Sequence, residues 1–154
     1  MIQRIQSLFL MAAAIFSGIS IKAPLSEFTM KNGDLVRLYS HGLYNITENI
    51  SLHLNTLVLA VLIIATTLIN LVVIFIYKRR VLQMRLCVYN ILLTIAIIGV
   101  HLYFHFMLKK NLDFASSSFS IAAIFPIVNI ILIFQAFRAI RRDDLLIKSY
   151  DRLR

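Results

Sequence analysis

The sequence predicts an all-α membrane protein: a bundle of four transmembrane helices with a small extracytoplasmic β-hairpin between the first and second. Three observations carry this. Apolar residues make up 60 % of the 154, and mean hydropathy is +0.83, too greasy to leave a polar surface for a water-soluble domain. The apolar residues gather in four long blocks, about 5–21, 54–77, 86–107 and 119–137. The basic residues are unequally shared between the segments that join those blocks.

The first block opens MIQRIQSLFLMAAAIFSGIS. A basic start, an apolar run and small residues also make up a cleavable signal. Ala14 and Gly18, however, form a small-x-x-x-small pair suited to helix packing in lipid. Removing the block would also leave three spans, with the new N-terminus opposite the basic tail. A retained first helix is the expectation.

Residues 22–51 form the one sizeable loop outside the blocks. Within FTMKNGDLVRLYS, Asn32-Gly33 sits between alternating apolar and polar residues, the signal of a type I′ hairpin over 28–39. Asn45 and Asn49 begin matches to the N-glycosylation sequon, a short motif that arises readily by chance.

The second block carries no charge, and at 24 residues would be about 36 Å long. KRRVLQMR, residues 78–85, reads as a tight inner turn. The third block holds the single cysteine, Cys87, read as a small buried or lipid-facing side chain. One cysteine excludes an intramolecular disulfide and paired-thiol chemistry. Ser116, Ser117 and Ser118 are placed to cap the fourth helix, and Pro126 is expected to kink it.

The net charge of +9 is read as a positive-inside bias rather than a nucleic-acid surface. With both termini on one side, that side holds 11 of the 16 Lys and Arg residues and the other holds 5. Both termini are therefore expected inside.

No Asp, Glu, Lys or Arg falls within the four blocks. This argues against an ion-coupled transporter, and no nucleophile–base–acid set for catalysis is present. Asn90, Thr94, His101 and His105 lie within one narrow arc of the third helix. Asn70, Asn90 and Asn129 fall at similar depths and are expected to form an amide network across three helices. His101 and His105 are one turn apart. With His53 they are the candidates for a cofactor, and haem between helices would need His53 with one of the other two. No metal site, catalytic residue or cofactor is otherwise indicated.

The chain closes FRAIRRDDLLIKSYDRLR. Residues 138–154 are expected to continue the fourth helix into the cytoplasm. Arg138, Arg141 and Arg142 would meet lipid phosphates, and Leu146, Tyr150 and Leu153 would form an apolar stripe. The acids Asp143, Asp144 and Asp151 make this tail less purely lipid-seeking, which favours a protein partner.

The opening MIQRIQSLFLMAAA and the closing stretch resemble an uncharacterised Bacteroidota family of small four-span inner-membrane proteins, a domain-of-unknown-function family. The resemblance is sharpest at Arg138, Arg141, Arg142, Asp143, Asp144, Asp151, Arg152 and Leu153. It implies a bacterial cytoplasmic membrane and a retained first helix, and makes the sequons irrelevant. It implies no activity. Three functions follow as expectations. The first is a non-enzymatic partner-binding or assembly subunit. The second is a protein binding haem, quinone, lipid or metal at its outer-side histidines. The third is a small transporter or channel.

Overall fold

A computed structural model describes residues 3–31, 33–45, 50–52, 56–76, 79–111 and 114–152. Four long helices dominate it: α1 (Gln3–Lys22), α2 (Leu57–Phe75), α3 (Arg80–Asn111) and α4 (Phe125–Arg152), the last preceded by a 3₁₀ turn, Ile121–Ile124. Each of the four is long and apolar enough to cross a membrane.

Helix α1 packs against α2 and α4, and α3 packs against the same two, so the helices close a ring in chain order. The inward residues explain this. On α1 they are Gln6, Leu10, Ala13, Ser17 and Ser20; on α4 they are Asn129, Ile133, Ala136, Ile140 and Asp143. Steps of three and four alternate, a seven-residue period that keeps one seam of each helix on its neighbours at a shallow crossing. Cys87 is buried in the lower core with Leu10, Val73, Ile133 and Ile140. The outward faces are apolar as well: Leu8, Ile15, Val61, Leu68, Leu92 and Ile131 are all more than half exposed.

A five-stranded antiparallel sheet covers one end of the ring. Its strands are β1 (Ser26–Met30), β2 (Leu35–Tyr39), β3 (Gly42–Asn45), β4 (Ile50–Leu52) and β5 (Phe114–Phe119), in the order β4-β3-β2-β1-β5. Alternation along the strands turns Phe28, Val36, Leu38 and Leu43 toward Leu108 and Phe104 of α3. On the upper face Glu27 and Arg37, directly opposite in the register, form an ion pair at 2.8 Å. Ser40 Oγ donates to the Ile21 carbonyl at the end of α1, 2.8 Å away.

Several expectations are corrected. The hairpin over 28–39 is present, but as two strands of five. Its connection is not the two-residue type I′ turn. Met30 N donates to Asp34 O (2.8 Å) and Gly33 N to Met30 O (3.0 Å), leaving three residues in the loop. Gly33 has φ +87°, the left-handed conformation that glycine supplies at the end of a three-residue hairpin loop; Asn32 lies outside the described residues.

Ser116, Ser117 and Ser118 do not cap α4. They pair with Thr29, Phe28 and Glu27 as the middle of β5. The inner turn expected over 78–85 is corrected as well: residues 80–85 are the start of α3, and Lys78 lies outside the described residues. Pro126 is the second residue of α4. There its missing N–H has no helical partner to lose, so it starts the helix rather than kinking its middle.

Candidate functional site

The inward seams carry polar side chains at three levels, and each level ties neighbouring elements together. Nearest the sheet, Ser26 of β1 reaches α3. Its Oγ lies 2.9 Å from His101 Nε2 and 3.1 Å from His105 Nδ1. All three residues are buried, at 0 %, 5 % and 3 % exposure. The hydroxyl has one proton, so it can donate to only one of these nitrogens. The other imidazole must donate its own N–H to the serine oxygen. Phe119 of β5 stacks on His105, with ring centroids 4.1 Å apart, and Phe28 lies 5.0 Å from the same ring. The cluster is a clasp of strand to helix.

The sequence places His101 and His105 on one face, and the structure agrees. One nitrogen of each ring, Nε2 of His101 and Nδ1 of His105, converges on Ser26. His53 lies outside the described residues. Among the described residues, no three His, Cys, Asp or Glu side chains gather in a metal-binding arrangement.

At the middle level the three asparagines do not form one network. Asn90 Nδ2 donates to Asn70 Oδ1 at 2.7 Å, linking α3 to α2. Asn129 Nδ2 donates to Ser17 Oγ at 2.7 Å, linking α4 to α1. The ring accounts for part of the split, since α2 and α4 stand diagonally and keep Asn70 from Asn129. Asn70 Nδ2, Asn90 Oδ1 and Asn129 Oδ1 are buried with no hydrogen-bond partner among the described residues.

At the far end from the sheet, Gln6 Nε2 donates to Asp143 Oδ2, tying the start of α1 to the end of α4. Asp143, which the sequence places on the tail's contact surface, is 6 % exposed and turned toward α1. Gln83, also buried, donates to the Val73 carbonyl at 2.8 Å. That carbonyl lies in the last turn of α2 and lacks a partner within its helix.

Around this end α4 presents a groove of about 580 Å³ lined by Phe134, Phe137, Arg138, Arg141, Arg142, Leu145 and Leu146. Arg138, Arg141, Arg142 and Leu146 are exposed or partly exposed, as expected of the tail. Asp144 is partly buried and faces α3 in a second pocket, with Arg79, Arg80 and Arg85. The helix continues to Arg152. The side chain of Tyr150 and all of Leu153 lie outside the described residues.

Ser26, Ser17 and Gln6 are site residues that sequence reasoning did not single out. Ser26 could have been found: the hairpin alternation puts it on the inward face with Phe28. Ser17 and Gln6 fall on the seven-residue seam of α1, but nothing in the sequence says which helix that seam meets.

The chain belongs to the DUF4293 family, a domain of unknown function, whose sequence pattern matches residues 2–153. No protein of curated function matches it.

Proposed function

We propose that this is an integral protein of the bacterial cytoplasmic (inner) membrane that acts without catalysis, as a partner-binding or assembly subunit. The four apolar helices cross the bilayer, both termini lie in the cytoplasm and the sheet lies outside. The carrying observation is the length and surface of α4. Its 28 residues make a helix of about 42 Å, while the hydrocarbon core is about 30 Å thick. The excess lies at the basic end. There Arg141, Arg142, Leu145 and Leu146 are exposed on a helix whose Asp143 is locked inward. A rigid extension with basic and apolar groups on its outer side suits an acidic, amphipathic protein surface.

The outer-side histidines support a binding role less well, since both are engaged by Ser26. The test is to tag the full chain in its native host, extract it gently and identify what co-purifies stoichiometrically. A protein partner lost on truncation after Arg142, with the bundle intact, supports the reading. Co-purification unchanged by that truncation removes the tail from the role. A bound chromophore, metal or quinone with no protein partner would favour the ligand reading instead.

A further inference from the structure

We propose that the start of α3 is a binding site for the headgroup of an anionic phospholipid in the inner leaflet. This rests on the membrane reading above. A pocket of about 500 Å³ opens between the start of α3 and α4, lined by Arg79, Arg80, Val81, Leu82, Arg85 and Asp144. Three guanidinium groups against one carboxylate leave a surplus of two positive charges, and arginine does not deprotonate. The pocket lies at a helix N-terminus whose first-turn amides have no partner within the helix. That turn contains no acidic residue, so the positive end of the helix dipole adds to the surplus.

The second observation is inside the pocket wall. Arg80 Nη1 is out of contact with solvent and has no hydrogen-bond partner among the described residues. A shielded guanidinium nitrogen without an acceptor is costly, and an anion held at this pocket would supply one.

The third observation selects the ligand class. Val81 and Leu82, exposed at 51 % and 40 %, flank the arginines. A free phosphate has no use for apolar walls, whereas a phospholipid places its phosphate against arginine and its acyl chains beside valine and leucine. Basic pockets between helices on the cytoplasmic side take such headgroups. Gln83, on the following residue, is bonded to the end of α2, so the pocket stands on a braced connection.

The experiment uses the full chain in detergent, with bound lipid counted by native mass spectrometry. Phosphatidylglycerol, phosphatidylcholine and inorganic phosphate are offered in turn. Phosphatidylglycerol is expected to bind in preference to phosphatidylcholine and to resist displacement by excess phosphate. Arg79 and Arg85 are exposed, so the R79Q/R85Q variant should fold. It should weaken binding roughly fivefold per arginine. K110Q, at the sheet end, should change nothing. Equal binding of the two lipids, or unchanged binding by R79Q/R85Q, would overturn the proposal. So would capture of inorganic phosphate alone, which would make this a free-anion site. Release of the chain from membranes by alkaline carbonate would remove the membrane reading itself. A chain that stays in the membrane without lipid selectivity removes only this inference.

Discussion

Replacing Ser26 by alanine removes one oxygen and leaves two buried imidazole nitrogens facing a methyl group. The two hydrogen bonds that this change breaks are 2.9 and 3.1 Å long. Phe28 and Phe119 pack on the His105 ring, so water has little room to replace the hydroxyl. Each orphaned group costs about 1–3 kcal/mol. Alanine no longer needs a hydroxyl desolvated, so the lower half of that range applies, giving about 2–4 kcal/mol in total. The destabilisation falls on the attachment of the sheet to α3, not on the helix ring. Native-state hydrogen exchange reads it directly. Amides of β1, β2 and β5 should exchange roughly thirtyfold faster at the lower figure, while mid-helix amides change little. In a His101→Leu/His105→Leu background the same serine change should cost at least about 1 kcal/mol less, because no partner remains to be orphaned. Strand exchange no faster than in Ser118→Ala, on the exposed part of β5, would refute the clasp. So would a strictly additive cycle.

Other consequences follow from the same geometry. Asn90→Leu strands Asn70 in the core and should cost about 1–2 kcal/mol in a denaturant titration in bicelles, while Asn70→Leu/Asn90→Leu together should cost less than the two singles added. Gly33→Ala should destabilise by about 1–2 kcal/mol through its φ of +87° alone, since a Cβ there meets nothing within 4 Å. Gly99→Ala, in the middle of α3 and equally free of neighbours, should instead stabilise by about 0.5–1 kcal/mol; thermal unfolding of the two variants in one detergent checks both signs. Asp143→Ala should free the start of α1 and the end of α4 and speed tryptic cleavage after Arg141 and Arg142, whereas Asp143→Asn, which keeps an acceptor for Gln6, should behave as the wild type.

The helices were legible because their signal is local and long. Eighteen or more apolar residues in a row need no partner to be recognised, and the positions of Asn90, Thr94, His101 and His105 on one buried face follow from helical period alone. The hairpin was legible from alternation and Asn-Gly. The rest of the sheet was not. Strand β5, Phe-Ala-Ser-Ser-Ser-Phe, is too polar to read as a strand and gains its structure only by pairing with β1, more than eighty residues earlier in the chain. Depth alone suggested that three asparagines meet. Contact also depends on which helices are neighbours, and the ring order sends Asn129 to Ser17 rather than to Asn70. The inward contact of Asp143 was hidden for the same reason: its charge is local information, but Gln6 lies at the other end of the chain.

The arrangement of the chain across the bilayer is tested most directly by cysteine labelling in intact cells, with Cys87 replaced by serine and single cysteines placed at Lys31 in the hairpin and Arg152 at the end of α4. A membrane-impermeant maleimide should label position 31 in intact cells and position 152 only after lysis. Labelling of position 152 in intact cells, or of neither position until lysis, would contradict a sheet outside and a docking tail inside.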